Sequence, residues 1–190
     1  MSGVIVIEFI TLDGIVEDPD GSGKAKWGGW AFRYGPESVA GDKFKLGEVL
    51  DTGALLLGRV TWELFSQIWP SRSDEFSTKM NRMPKLVISR TLKDVTRWSN
   101  SRLLQDSLVD EVSRLKGKQD IVVAGSSSVV RTLMDHHQVD EYRLLVFPTV
   151  IGEGRRLFPA GIAPINLELV SAERSGAAML LTYRQARERS

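Results

Sequence analysis

Two short apolar runs, residues 54–57 and 121–124, each meet a glycine and pass straight into a helical pattern, at Leu57-Gly58-Arg59 and Ala124-Gly125-Ser126. A strand that is apolar on both faces is buried on both, which is the habit of parallel strands joined by helical crossovers. The alternation continues through the first three quarters of the chain. It ends in two partly alternating strands, 166–172 and 179–185, with Ser175-Gly176 between them as a hairpin turn. The pattern predicts an α/β domain with a mostly parallel sheet and an antiparallel edge. In a chain of 190 residues that is 42% hydrophobic, a single domain with a sizeable core is expected.

The remaining elements follow from periodicity. Residues 4–10 read as a buried strand closed by the turn Leu12-Asp13-Gly14, and residues 17–36 as a long irregular loop carrying Trp27, Trp30, Phe32 and Tyr34. Val39, Phe44, Leu46 and Val49 have loose helical spacing over residues 37–50. A helix over 59–69 stops at Pro70, and 73–82 reads as a second. Residues 85–89 form a strand. Leu104, Leu108, Val112 and Leu115 make a helical stripe closed by Lys116-Gly117. A helix carries Val129, Val130, Leu133 and Met134, residues 140–147 are a strand, and 150–161 a glycine-rich loop. No internal repeat is present, and the one composition-biased stretch is the tail 186–190.

Chemistry concentrates at the two glycine junctions, because ligands of such sheets bind at the carboxyl ends of the strands. Each junction leaves free backbone donors at a helix start, where an anion is favoured. Taken singly, each glycine is an ordinary tight turn; taken together, they suit the two phosphoryl groups of a diphosphate. Hydroxyls at Thr61, Ser126, Ser127 and Ser128 suit its oxygens, although the serines serve equally as helix caps. Arg59 at a helix N-terminus is unfavourable against the dipole unless an anion is supplied. Ser89-Arg90, at another strand end, is either a second phosphate contact, such as the 2′-phosphate that separates NADP from NAD, or a solvated loop.

Several classes of function are disfavoured. The chain has 25 basic and 24 acidic residues and no cysteine, so nothing steers it to nucleic acid, and thiolate chemistry and disulfides are absent. No apolar run is long enough to cross a bilayer and the start lacks a basic leader, so a cytoplasmic location with no membrane partner is expected. Gly21-Ser22-Gly23-Lys24 imitates the end of a P-loop but lacks the required first glycine and the hydroxyl after the lysine. His136 and His137 diverge on a helix end without a third ligand, so no metal site is expected.

The stretches LDGIV, LLLGRVTWE, LVISRTL, VVAGSSSVVRTLM and DEYRLLVFPTVIGEGRRLFP occur in the order and spacing of the dihydrofolate-reductase superfamily. The chain most resembles the reductase domain of the bifunctional riboflavin-biosynthesis deaminase-reductase and its stand-alone bacterial relatives. The resemblance covers roughly residues 4–159. It implies a three-layer fold, with a mostly parallel mixed sheet flanked by helices and a C-terminal antiparallel hairpin. It also implies an NADPH-dependent reductase acting on a pterin- or pyrimidine-like heteroaromatic substrate, and a homodimer in which the terminal hairpin can serve as interface. Activity of the dihydrofolate-reductase type, or a non-catalytic binding module of the same fold, are the alternatives.

By that resemblance Gly58, Arg59 and Thr61 contact the NADPH phosphates, and Arg59 with Ser89 and Arg90 surrounds the adenosine 2′-phosphate. Gly125, Ser126, Ser127, Ser128 and Val129 lie under the pyrophosphate, and Val16 backs the nicotinamide. Ala124 stands where folate reductases have the first glycine of a pair joined by a cis peptide, and an alanine argues against a cis bond there. The catalytic acid falls on Asp42, with Glu37 as the alternative, and Val146 replaces the threonine that bridges the acid to a pterin. Arg155 or Arg156 in GEGRRLFP pairs with a substrate phosphate or is surface charge. Trp27 and Trp30 wall a flat substrate or anchor the loop.

Overall fold

A computed structural model describes residues 2–186, so the end of the biased tail lies outside the described residues. The chain forms two compact units. The first takes the segment through Val6 together with Lys45–Asp140, and the second takes Ile7–Phe44 with the segment from Glu141 onward. Strand β1, Val4–Thr11, runs from one into the other.

The first unit holds helix α1 (Val49–Thr52), strand β2 (Ala54–Gly58), helices α2 (Arg59–Ile68) and α3 (Glu75–Arg82), strands β3 (Lys85–Ile88) and β4 (Ser101–Leu103), helix α4 (Leu108–Leu115), strand β5 (Ile121–Val123) and helix α5 (Ser127–Asp135). Its strands lie in the order β4-β3-β2-β5-β1, all parallel. The two apolar runs sit side by side in the middle, Ala54 opposite Ile121 and Leu56 opposite Val123, and all of these are fully buried. Helix starts follow the capping signals: Asp74 accepts a hydrogen bond from the Ser77 amide at 3.0 Å, and Ser107 accepts one from the Asp110 amide at 3.2 Å.

Lys85 is the unexpected member of this core. It is fully buried, its ammonium donates to the carbonyls of Asn81 and Ser99, and it lies 4.4 Å from the centre of the Trp98 ring. Those acceptors keep a buried cation tolerable, while burial pushes its pKa down to about 8.

The second unit carries strands β6 (Glu141–Phe147), β7 (Leu167–Ser175) and β8 (Ala178–Gln185). They lie antiparallel in the order β6-β8-β7, with Val146 opposite Met179 and Ser175 opposite Ala178 across the expected turn. Its core gathers Trp30, Leu145, Phe147 and Leu180. Trp30 is 1% exposed, meets Phe147 edge-on at 5.6 Å and donates its indole N–H to the Glu17 carbonyl at 2.9 Å. The long loop therefore folds back on a buried aromatic plug.

The expected α/β class, with parallel strands followed by an antiparallel hairpin, is what the chain forms. Two local expectations need correction, and one strand was not anticipated. Residues 37–50 are not a helix, because Gly41, Lys45 and Gly47 take positive φ and break any helical ladder. The spacing of Val39 and Phe44 reflects packing on the Trp30 core instead. The stripe from Leu104 begins its helix only at Leu108; Leu104 is buried after β4, its amide bonded to the Val87 carbonyl at 2.9 Å. Strand β4, three residues long, is too short to show alternation.

Candidate functional site

In the first unit the two glycine junctions come together. The Gly58 amide donates to the Gly125 carbonyl at 3.1 Å, and a Cβ added at Gly58 would stand 2.4 Å from Ser126 Oγ and 3.1 Å from the Ser126 nitrogen. Gly58 has φ −75° and ψ 164°, so close approach rather than backbone conformation demands glycine here. Helices α2 and α5 thus start beside one another, with their first amides at the carboxyl ends of the interior strands β2 and β5. The Ala124–Gly125 bond is not cis, as expected, and the cis peptide stands one bond later, between Gly125 and Ser126.

The flanking side chains are distributed unevenly. Gly58 pairs in register with Ile88, so Arg59 and Ser89-Arg90 leave the same edge on neighbouring strands. Arg90 is exposed and has no ion-pair partner among the described residues. Arg59 is already supplied with an anion by its own helix, its Nη1 lying 2.7 Å from Glu63 Oε2. The charge that seemed to need an external partner is thus partly answered by a residue one turn along. The Ser89 hydroxyl accepts from the amides of Thr91 and Leu92 at 3.1 and 2.9 Å, closing its own turn. Ser126 makes no side-chain cap and instead meets Ser128 Oγ at 2.9 Å, and Thr61 is partly exposed at the head of α2. Val129 is 4% exposed and its amide is bonded to the Ser126 carbonyl at 2.9 Å.

The second unit carries its own cleft of about 260 Å³, walled by Ile15, Glu17, Trp27, Ile151, Glu153 and Gly154. The chain after the LDG turn and the loop around GEG line it, and hydrogen bonds between the two tie them together. Asp13 accepts from Thr11 Oγ1 at 2.6 Å and from the Gly152 amide at 2.7 Å, contacts that hold its carboxyl below the usual range. The Val16 amide donates to the Arg155 carbonyl at 2.9 Å, and Leu157 returns a bond to the Gly14 carbonyl at 3.1 Å. Gly154 has φ +133°, and a Cβ there would stand 2.9 Å from Ile15 Cγ2. Val16 itself is 7% exposed.

Of the residues assigned to substrate, Trp27 lines the cleft, whereas Trp30 is in the core and anchors the loop. Arg155 reaches Glu17 at 3.3 Å, and Arg156 donates to the Asp13 carbonyl. Asp42 lies in irregular chain, partly exposed, because the helix expected to carry it does not form.

Sequence reading missed Glu8. It is a single acid inside the apolar run VIVIEFI, half-buried, its carboxyl without a hydrogen bond or ion pair among the described residues, and desolvation raises that carboxyl to about 8. The interruption of that run was the available signal. Among the described residues, no helix is long and apolar enough to cross a membrane.

Comparison with known proteins agrees with this architecture. The chain is 30% identical over 175 residues to the uncharacterized protein YyaP of Bacillus subtilis (strain 168), covering 88% of this chain and 86% of YyaP. A solved structure of a putative riboflavin biosynthesis protein from Shewanella sp. PV-4 superposes with a TM-score of 0.74 at 18% identity, over 97% of this chain and 99% of that one. A deaminase/5-amino-6-(5-phosphoribosylamino)uracil reductase from Thermotoga maritima gives 0.66 at 19% identity, over 97% of this chain but only 57% of that longer protein. At such identities the structures show a shared fold. The model of the RibD C-terminal domain matches residues 3–181, nearly the whole length, and the chain accordingly belongs to the RibD C-terminal domain family.

Proposed function

We propose that this protein is an NADPH-dependent reductase of a pterin- or pyrimidine-like substrate, of the riboflavin-pathway reductase type. The observation that carries the reading is the Gly58 amide bonded to the Gly125 carbonyl, with Ser126 packed so closely that a Cβ at Gly58 would clash with it. Two helix N-termini so close together suit the linked phosphates of a dinucleotide. Arg90, with no ion pair among the described residues, is a cation at the carboxyl end of the neighbouring strand β3 and suits a 2′-phosphate. A bound reduced nicotinamide would supply the hydride. The chain's own residues would bind and orient, and a proton would come from Asp42, from water, from the substrate or from Glu8, which burial keeps protonated at neutral pH.

The test compares NADPH with NADH by thermal shift and titration, followed by NADPH absorbance decay with pterin, folate and aminopyrimidine substrates. NADPH should bind more tightly. Arg90→Ala should weaken NADPH by roughly tenfold or more, as expected for one charge-assisted hydrogen bond, and leave NADH unchanged. Equal loss for both nucleotides would remove the 2′-phosphate role, and binding without turnover of any substrate would reduce the protein to a binding module.

We also propose a cytoplasmic homodimer that pairs through the terminal hairpin, where Leu169, Val170 and Met179 are exposed. Sedimentation should give twice the chain mass, and Leu169→Lys should halve it. A single-chain mass for the unaltered protein would exclude the pairing.

A further inference from the structure

Arg59 opens helix α2, where the helix dipole opposes a cation, and its Nη1 donates to Glu63 Oε2 at 2.7 Å, four residues on. The Glu63 carboxyl has no other partner among the described residues. Two features make this a weak pair. Both side chains stand in water, 45% and 38% exposed, and an arginine placed one turn before its acid is the less favourable order along a helix. Glu63 also has somewhere else to turn. It lines a cleft of about 360 Å³ in the same unit, whose wall includes Arg97, an exposed cation with no ion pair among the described residues. The other acid on that wall, Asp94, is occupied by the amide and hydroxyl of Thr96 at 2.9 and 3.1 Å.

A phosphate approaching Arg59 therefore meets a guanidinium that already holds a carboxylate, and it must displace that carboxylate to bind. Gly58 is opposite Ile88 in register, so Arg59 and Arg90 follow neighbouring strand ends and are the two cations that the proposed 2′-phosphate would meet. Arg90 is open to it in every molecule, whereas Arg59 is open only in the fraction that has let Glu63 go, and affinity falls by that fraction. We infer that Glu63 is a built-in competitor of the nucleotide 2′-phosphate for Arg59, and that it limits how strongly this protein prefers NADPH to NADH. The inference rests on the reductase reading for the identity of the ligand and deepens it by naming the residue that sets the preference.

Glu63→Gln keeps the size of the side chain and removes its charge. Calorimetric titration of the full chain with adenosine 2′,5′-bisphosphate and with 5′-AMP compares this variant with the parent. The variant should bind the bisphosphate about three- to tenfold more tightly, as release of an exposed ion pair allows, and 5′-AMP within about twofold of the parent. Glu63→Ala should do the same, which separates the lost charge from any new hydrogen bond made by glutamine. In an Arg59→Ala background the gain from Glu63→Gln should vanish, the coupling that a double-mutant cycle reads. An unchanged bisphosphate affinity, an equal gain for both nucleotides, or a gain that survives without Arg59 overturns the inference. NADPH titration and the absorbance assay keep the two readings apart. If NADPH binds and is oxidised but its affinity ignores Glu63→Gln, only the role of Glu63 falls. If the bisphosphate gain appears while no substrate is reduced, the reductase reading falls and the competition stands. Failure of every nucleotide to bind parent and variants removes both.

Discussion

Glu8→Gln should make the protein more stable than the unaltered chain at pH 9, and should remove most of that difference at pH 5. The carboxyl titrates near 8 in the folded protein, against an ordinary value of 4.5, because burial disfavours its charged form. Between these values the folded state keeps a proton that the unfolded chain has released. Stability therefore falls as pH rises across that window, and the loss is complete above about pH 8. The gap corresponds to at most about 5 kcal/mol, an upper bound because the residue keeps some exposure to water. Two other groups titrate with different signs. Lys85, held near 8 by burial, favours the folded state increasingly between about 8 and 10.5. Burial alone would raise Glu141, but hydrogen bonds and charge from Arg143 and Arg184 outweigh it and hold the carboxyl low, so its contribution is lost only as acid protonates it. Comparing variant with parent at each pH cancels both. Urea unfolding at pH 5, 7 and 9 measures the effect, and parallel pH dependences for the two proteins would rule it out. If Glu8 also delivers the proton, kcat should fall above pH 8 in the parent, and the variant should lose that limb along with most of its turnover.

Gly58→Ala should cost on the order of 1–3 kcal/mol of stability and roughly 10–100-fold in NADPH affinity. The added methyl would press on Ser126 at 2.4 Å from Oγ, while the backbone at Gly58 is one that alanine adopts freely. Relief requires the two junctions to separate, and each charge-assisted hydrogen bond from an amide to a phosphate is worth about 1.5–3 kcal/mol. Adding Ser126→Gly removes the nearest clashing atom, so the double variant should recover part of both losses. Chemical denaturation and nucleotide titration of the two variants provide the check. An alanine variant with undiminished affinity would show that the junctions are a packing feature and not a cradle.

The glycine junctions of the proposed cradle were more legible in the sequence than the proposed substrate side, and the difference is physical. A strand, a glycine and a helix start are local, so Gly58 and Gly125 mark their own positions, and the parallel strands that carry them are written as fully apolar runs. The correctly anticipated hairpin around Gly176 is local in the same sense. By contrast, residues 37–50 have helical spacing because Val39 and Phe44 reach a distant core, and the helix expected there to carry Asp42 is broken by positive φ at Gly41, Lys45 and Gly47.

Which charges are free is decided by partners far apart in the chain. Arg155 and Arg156 look available in GEGRR, yet Glu17 and Asp13, about 140 positions earlier, engage them. Trp27 and Trp30 are three residues apart and indistinguishable by composition, yet one lines a cleft and the other fills a core. The sequence by itself determined the layered α/β class, the glycine junctions and the family. Only the tertiary structure decided that Glu63 answers Arg59, that Lys85 is withdrawn from water and Glu8 partly so, and that Glu153 and Glu17 engage Lys26 and Arg155. Periodicity encodes which face of an element is buried, but desolvation and charge pairing depend on what the folded chain brings opposite that face.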